Sequence, residues 1–168
     1  MPAKDQGIDK KRFQVIPRVL VFLFTEDSVL LIKGASTKRI WAGKYNGIGG
    51  HVEKNESTLQ AALRELVEEA GIEDIQLSLC GNVLIDAGDD VGVEVHIFTG
   101  RLNSELEIIP SSEGLIEWID LDRIEEINAV EDIPALIRHV QEYRTSGNLF
   151  FGTYRYSEHG KLIMTFDQ

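Results

Sequence analysis

Two hydrophobic periodicities divide the chain into predicted helices and strands. Between Ser57 and Ile72, apolar residues recur every three or four positions, which is the spacing of one side of an amphipathic helix. The residues expected to face the core are Leu59, Ala62, Leu63, Leu66, Val67 and Ala70. Ser57 with Gln60 fits a capping box at the helix start, and Gly71 with Ile72 fits a helix stop. The pattern therefore predicts a helix over this segment.

A second amphipathic helix is predicted from Asp132 to Thr145. Its inward positions are Ile133, Leu136, Ile137 and Val140. Asp132 fits the N-cap, Pro134 fits the first turn, and Gly147 fits a stop after the last turn. The signals at both ends thus agree with the hydrophobic spacing between them.

Runs rich in β-branched and aromatic residues predict the strands. The first pair, Arg12–Phe24 and Ser28–Lys33, is joined by a short polar turn and is expected to form a β-hairpin. Later strands are predicted at 75–85, 91–102, 115–119, 149–156 and 161–166. Apolar and polar residues alternate within the run that starts at Val91, and we interpret His96 there as a partly exposed strand residue rather than a ligand.

Strands interleaved with two helices predict an α/β fold in which helices sandwich a mixed β-sheet. The 168 residues are enough for one domain with a sizeable core. We assign residues 12–168 to that domain and residues 1–11, which are mostly polar, to a loose N-terminal tail. No run is apolar enough for a signal peptide or a membrane span, so a cytoplasmic protein is expected.

The charge of the chain restricts its expected partners. The formal net charge is −11 and the sequence pI is about 4.8, without a long basic run. A nucleic acid polymer is therefore not expected as a partner, and a small polyphosphate would need metal ions to offset the acidity. The single cysteine, Cys80, cannot form an internal disulfide, and its apolar neighbours indicate a buried residue rather than a nucleophile. The sequence leaves both a monomer and a homodimer open.

An acidic cluster on the first predicted helix is the main candidate for chemistry. Glu65, Glu68 and Glu69 follow one another at helical spacing, which places their carboxylates on one side within about one turn. Arg64 can offset Glu68, but the remaining charges repel one another near the end of the helix, where the dipole disfavours anions. A solvated acidic surface is one interpretation. A site for a hard divalent cation such as Mg²⁺ or Mn²⁺ is the other.

A glycine-rich segment, residues 34–56, precedes this helix and contains Trp41 and Tyr45. Four of its glycines lie between positions 43 and 50. Glycines at this density indicate unusual backbone angles or the close approach of a ligand to the main chain. The two aromatic residues favour a substrate-binding loop, and a plain flexible loop is the alternative.

The segment from Gly50 to Ile72 resembles the Nudix box, GX5EX7REUXEEXGU, in which U is aliphatic. The fixed positions are filled by Gly50, Glu56, Arg64, Glu65, Leu66, Glu68, Glu69, Gly71 and Ile72. Less specific similarity to MutT-type 8-oxo-dGTP diphosphatases extends over about residues 13–166, through NGIGGHV, EGLIEWIDLDRI and the C-terminal part of the chain. The resemblance implies the α/β/α sandwich of that family.

The resemblance also implies roles for individual residues. The implied metal ligands are Gly50, through its carbonyl, and Glu65, Glu68, Glu69 and Glu113. Glu56 would support Arg64, which in turn would orient the metal-binding glutamates. Glu113 matches a further glutamate outside the box that binds metal or acts in catalysis. Either Glu68 or Glu113 would accept the proton of the attacking water.

Fewer residues bear on base recognition. Asn46 matches an asparagine whose side chain contacts the base in the purine-specific enzymes, and a turn residue is the alternative interpretation. Those enzymes also contact the base through acidic residues before the last helix, where this chain has Glu131 and Asp132. Ile133 stands where a second aspartate is expected, which departs from the pattern for oxidised purines.

The resemblance implies a hydrolase, dependent on Mg²⁺ or Mn²⁺, that converts a nucleoside triphosphate such as 8-oxo-dGTP to the monophosphate and pyrophosphate. A second interpretation keeps the box and changes the substrate to ADP-ribose, a nucleotide sugar or a dinucleoside polyphosphate. A third is a non-catalytic Nudix-fold nucleotide-binding module. Such modules often lack box glutamates, and this chain retains all of them, which favours an enzyme.

Overall fold

The computed structural model describes residues 2–36, 40–88, 90–106 and 114–167. This part of the chain contains two α-helices, α1 at Thr58–Ala70 and α2 at Ile133–Ser146. The strands are β1 Gln14–Phe24, β2 Ser28–Gly34, β3 Tyr45–Asn46, β4 Ser78–Ile85, β5 Val91–Arg101, β6 Gly114–Asp120, β7 Phe150–Tyr156 and β8 Leu162–Asp167. Short 3₁₀ turns occupy Ala3–Gln6 and Leu121–Arg123. None of the described helices is long and apolar enough to cross a membrane.

The strands form one eight-stranded mixed sheet within the described ranges. Its order is β3-β2-β1-β5-β4-β7-β8, and β6 also pairs with β2. β1 runs parallel to β5 along the whole length of both strands, and β4 runs parallel to β7. The other strand pairs are antiparallel. β1 is therefore a central strand, with sheet neighbours on both of its edges.

The side chains of β1 alternate between two hydrophobic cores, one under each helix. Val19, Val21 and Leu23 pack in the cluster that contains the buried alanines and leucine of α1. Phe22 and Phe24 point to the opposite face and pack in the cluster that contains the buried side of α2. The sheet is thus covered by a helix on each face. This is the α/β/α sandwich predicted from the sequence, and the fold prediction is confirmed.

Helix α1 begins and ends with the local contacts that the sequence predicts. The Ser57 hydroxyl accepts a hydrogen bond from the Gln60 N–H at 3.2 Å, and Gln60 Oε1 accepts one from the Ser57 N–H at 2.8 Å. Gly71 is left-handed, with a φ of 66°, and the N–H groups of Gly71 and Ile72 bond to carbonyls of the last turn. The capping box and the glycine stop are both confirmed.

The side of α1 that faces the sheet differs from the one predicted. Its buried residues are Ala61, Ala62, Leu66, Glu69 and Ala70. Leu59 and Val67, which the pattern assigns to the core, are 42% and 43% exposed, so this part of the prediction is wrong. Glu69 lies on the side of the helix that faces the sheet, where its carboxylate accepts a hydrogen bond from the Gly49 N–H at 3.2 Å, and Leu59 and Val67 lie towards solvent.

Helix α2 agrees with its predicted spacing and differs at one end. Its buried residues are the four predicted ones, and its C-cap is Gly147 with a φ of 76°. Asp132 occupies the N-cap position, but its side chain makes no capping hydrogen bond. The carboxylate lies instead near the Tyr154 hydroxyl. The prediction is correct for the position of Asp132 and wrong for its contact.

Two strands begin two or more residues later than predicted, and one strand was not predicted. β1 begins at Gln14 rather than Arg12, and β4 begins at Ser78 rather than Ile75. The two residues of β3 pair with β2 inside the segment predicted to be a loop. A strand of two residues is too short for an alternating pattern to reveal.

Cys80 is fully buried on β4, as predicted, and its thiol donates to the Ile97 carbonyl at 3.2 Å. Burial raises the pKa of this thiol to about 12. Because the thiolate is the reactive form, we expect no reaction of the native protein with an aromatic disulfide reagent at about pH 8. After unfolding in guanidinium chloride, one thiol per chain should react, as measured by absorbance. Rapid labelling of the native protein would contradict the burial of Cys80.

Candidate active site

Arg64 links the acidic residues of α1 into one hydrogen-bonded network. Its Nη1 donates to Glu65 Oε1 at 2.9 Å and to Glu68 Oε2 at 3.0 Å. Its Nε and Nη2 donate to the two oxygens of Glu56 at 3.1 and 2.8 Å, and Nη2 also donates to the His51 carbonyl at 3.0 Å. These contacts, chiefly the one with Glu56, raise the pKa of Arg64. One guanidinium therefore offsets part of the repulsion among the carboxylates.

Glu56 is held in place from the backbone as well as by Arg64. Its Oε1 accepts the Glu53 N–H at 2.6 Å. The hydrogen bonds from Arg64 and from Glu53 lower the pKa of Glu56. An ionised Glu56 fixes the plane of the guanidinium through two parallel hydrogen bonds. Glu56 and Arg64 thus lie in the supporting positions that the sequence resemblance implies, and their part in catalysis stays a prediction.

Glycines between β3 and α1 let the acidic side of the helix approach the sheet. A Cβ on Gly50 would lie 2.1 Å from Glu65 Oε1, and one on Gly49 would lie 2.1 Å from the Val19 carbonyl oxygen. The Gly49 N–H donates to Glu69 Oε2 at 3.2 Å, and the Gly50 carbonyl accepts the Val19 N–H at 2.9 Å. The segment therefore pairs with β1 on one side and meets the carboxylates of α1 on the other.

A pocket of about 310 Å³ opens beside this glycine segment. Its walls are largely apolar and include Leu20, Ile85, Val95, Val130 and Leu136. Its polar lining includes Arg18, Asn46, Glu69 and Asp132. Glu69 also lies within one helical turn of Glu65 and Glu68. The pocket and the acidic cluster are therefore continuous at Glu69.

Asp132, which is partly buried, and Tyr154, which is buried, bring two polar groups to the pocket. Tyr154 is 2% exposed, and its hydroxyl has no hydrogen-bond partner at normal geometry among the residues that the structure describes. Burial, and then the charge of Asp132, raise the pKa of Tyr154. Burial is also the main cause that raises the pKa of Asp132. The Asp132 carboxyl therefore accepts a proton more readily than an exposed aspartate would.

The structure brings some of the predicted binding residues to this pocket and leaves others elsewhere. The ones that line it are Trp41, Asn46 and Asp132. The Tyr45 hydroxyl instead donates to Glu117 on β6 at 2.6 Å, which is the main cause that raises the pKa of Tyr45 to about 12. Glu131 is exposed to solvent. Glu113 lies outside the described residues, and its role stays a prediction.

The acidic cluster of α1 offers oxygen ligands to a divalent cation. In the described part of the chain, no three His, Cys, Asp or Glu side chains converge as the ligands of a metal ion would. Arg64 bonds to one oxygen each of Glu65 and Glu68, and the second oxygen of each is left for another cation. Carboxylate and carbonyl oxygens are the ligands that Mg²⁺ and Mn²⁺ favour, and the missing side chain of Gly50 leaves room for the Glu65 carboxylate. The donor set therefore fits such an ion.

Two polar residues of the pocket, Arg18 and Tyr154, are not among the site residues predicted from the sequence. Both lie in predicted strands, where a single polar residue does not reveal which neighbour it faces. A usable signal for Arg18 was present, because a charged residue within the apolar run from Val15 to Phe24 needs an explanation.

Comparisons with known proteins agree with this arrangement. A family model described as the NUDIX domain matches residues 15–140. A relative from Danio rerio, named oxidized purine nucleoside triphosphate hydrolase, is 39% identical over 106 residues. The match covers 62% of this chain and 66% of that protein, so the chain matches just under two thirds of the length of this relative.

Solved structures show the same fold. The chain is similar to a MutT protein from Bacillus halodurans, with a TM-score of 0.75 and 24% identity over 91% of this chain and 98% of that one. It is also similar to the NUDIX domain of Shewanella oneidensis NrtR in complex with ADP ribose, with a TM-score of 0.69 and 20% identity over 86% of this chain and 99% of that one. At these identities the likeness concerns the fold alone.

Proposed function

The chain belongs to the NUDIX domain family, and we propose that it is a divalent-metal-dependent hydrolase that converts an oxidised purine nucleoside triphosphate to the monophosphate and pyrophosphate. The observation that carries the proposal is the continuity of the largely apolar pocket with the acidic cluster at Glu69. A purine base in the pocket would place its phosphates towards the glutamates of α1. The name of the relative from Danio rerio supports the choice of substrate.

The polar groups of the pocket suit a base with several hydrogen-bonding positions. Asn46 Oδ1 accepts the Gly47 N–H at 2.8 Å, which fixes the side chain and leaves its NH₂ group to donate to a ligand. The Asp132 carboxyl, with its raised pKa, can donate when protonated and accept when ionised. Oxidation at C8 of a purine changes N7 from an acceptor to a donor and adds a carbonyl. The two side chains can therefore distinguish the oxidised base by its pattern of donors and acceptors.

The acidic cluster suits cleavage of a phosphoric anhydride. The residues that would hold the metal ion are Glu65, Glu68, Glu69 and the Gly50 carbonyl. When bound, Mg²⁺ or Mn²⁺ neutralises charge on the phosphate oxygens and lowers the pKa of water. Arg64 holds Glu65 and Glu68 at a fixed separation through its Nη1. The proton of the attacking water would pass to Glu68, whose side chain is 57% exposed, or to Glu113.

A substrate panel tests the proposal. Oxidised and unoxidised nucleoside triphosphates, ADP-ribose and dinucleoside polyphosphates are each incubated with Mg²⁺ and with Mn²⁺. We expect the highest kcat/KM for an oxidised purine triphosphate. Asn46→Ala and Asp132→Ala should each lower that value by about tenfold or more, because each removes a hydrogen bond to the base in a site of low polarity.

Asn148→Ala is the matched control for the panel, since Asn148 is exposed after α2 and does not line the pocket. This variant should rank the substrates by kcat/KM in the same order as the wild type. A preference for ADP-ribose or for a dinucleoside polyphosphate would contradict the proposed substrate class. It would still be consistent with the hydrolysis of a phosphoric anhydride. Hydrolysis of none of the compounds would contradict the enzymatic proposal and favour a nucleotide-binding module.

A further inference from the structure

Arg18 is a partly buried cation between the pocket and the acidic cluster. It lies on β1 and lines the pocket together with Asn46 and Glu69. Its guanidinium lies over the Trp41 ring, 5.8 Å from the ring centroid. Among the described residues of the lining, the other cation is Lys44, which is exposed. Of these two, Arg18 is therefore the positive charge within the pocket rather than at its rim.

The surroundings of Arg18 leave its hydrogen-bonding capacity largely unused. Burial lowers the pKa of Arg18, and the charges of Glu65 and Glu69 act in the opposite direction. The guanidinium remains charged, since arginine does not lose its proton in proteins. Within the described part of the chain, it makes no hydrogen bond and no close ion pair, and its contact with the Trp41 ring uses its face rather than its N–H groups. Five N–H donors in a planar fork are suited to phosphate oxygens.

The position of Arg18 indicates which phosphate it would meet. Its side chain lines the cavity proposed for the base. The charges of Glu65 and Glu69 act on the Arg18 guanidinium. The metal ion and the two phosphates that leave as pyrophosphate would lie near these glutamates. A nucleotide that spans these two regions places its first phosphate, the one joined to the nucleoside, between them.

We propose that Arg18 binds this first phosphate and thereby selects nucleotides over nucleosides even in the absence of a metal ion. The proposal rests on the proposed function, because it takes the pocket to be the base site. It assigns the monophosphate product a binding site formed by the chain itself. The competing explanation is that Arg18 only offsets the charges of Glu65 and Glu69, in which case it would have no effect on selection.

Equilibrium binding in EDTA tests the proposal. The ligands are the monophosphate product of the best substrate in the panel and the matching nucleoside, each titrated by calorimetry. The wild-type protein should bind the monophosphate about tenfold or more tightly than the nucleoside, as expected for a charged hydrogen bond. In Arg18→Gln the ratio should fall towards one through loss of monophosphate affinity, with nucleoside affinity unchanged. Arg18→Lys should keep part of the ratio.

Arg155→Gln is the control, because Arg155 on β7 is exposed and its replacement makes the same change of charge. It should leave the ratio at the wild-type value. A ratio in Arg18→Gln equal to that of the wild type, in a protein that hydrolyses the triphosphate, would overturn the role of Arg18 and leave the proposed function standing. Failure of the wild type to hydrolyse any compound of the panel would overturn both.

Discussion

Replacing Glu68 with glutamine is expected to lower kcat/KM for the best nucleotide by at least about a hundredfold. Glutamine keeps the length of the side chain and an acceptor for Arg64, whose Nη1 lies 3.0 Å from Glu68 Oε2. It removes the negative charge that would help to hold a divalent cation and the basic oxygen that would accept a proton. Because the Glu68 side chain is 57% exposed, the fold is expected to tolerate the change.

Glu73→Gln is the matched control for this variant. Glu73 is exposed just after α1 and lies outside the box, so its replacement makes the same change of charge in the same region. Steady-state kinetics at several Mg²⁺ concentrations should show a loss for Glu68→Gln alone, while the circular dichroism spectrum and the Tm stay unchanged in both variants. Pyrophosphate release by Glu68→Gln at a near-normal rate would contradict the assignment of Glu68 to the site.

Replacing Arg64 with lysine is expected to reduce both activity and stability. A lysine keeps the positive charge but has one ammonium group, which cannot reach Glu56, Glu65 and Glu68 in the geometry of the guanidinium fork. The carboxylates would then lose their fixed orientation, and outer contacts of this kind are worth about 10- to 100-fold in metal affinity or activity. Loss of charged hydrogen bonds should lower the free energy of unfolding by about 1–3 kcal/mol.

Arg138→Lys provides the control for Arg64→Lys. Arg138 is exposed on α2 and pairs with Glu125, and surface pairs of this kind contribute about 1 kcal/mol or less. Chemical denaturation of both variants should show a larger decrease in the free energy of unfolding for Arg64→Lys than for Arg138→Lys. Kinetics should show a lower kcat/KM for Arg64→Lys and a wild-type value for Arg138→Lys. Wild-type kcat/KM and wild-type stability in Arg64→Lys would show that the network does not orient the glutamates.

The helix ends could be predicted because the residues that form them are close in sequence. Ser57 and Gln60 make the capping box within one turn, and Gly71 ends the same helix. The rotation of α1 about its axis could not be predicted in this way. The observed side includes Glu69, a charged residue that contacts Gly49, twenty residues earlier in the chain, and a pattern of apolar residues does not contain this contact.

The acidic cluster could be predicted as a set because its residues lie in one continuous segment at fixed spacing. The pocket could not, since its lining comes from strands and a helix that are far apart in the chain. Tyr45 and Asn46 illustrate the difference. Adjacent side chains of a strand point to opposite faces, so Asn46 lines the pocket while the Tyr45 hydroxyl bonds to Glu117. Without knowledge of β3, Tyr45 and Asn46 are equally good candidates for lining the pocket.

Analysis of the products by ³¹P NMR tests the claim that the enzyme cleaves the anhydride next to the nucleoside and needs both a metal ion and Glu68 to do so. The wild-type protein and Glu68→Gln are each incubated with an oxidised purine nucleoside triphosphate, with Mg²⁺ and with excess EDTA. The wild type with Mg²⁺ is expected to give nucleoside monophosphate and pyrophosphate in equal amounts. Over the same time, Glu68→Gln with Mg²⁺ should give at most about one hundredth of these products, and both proteins in EDTA should give neither. Release of inorganic phosphate with the nucleoside diphosphate, or turnover of the wild type in EDTA equal to that in Mg²⁺, would contradict the claim.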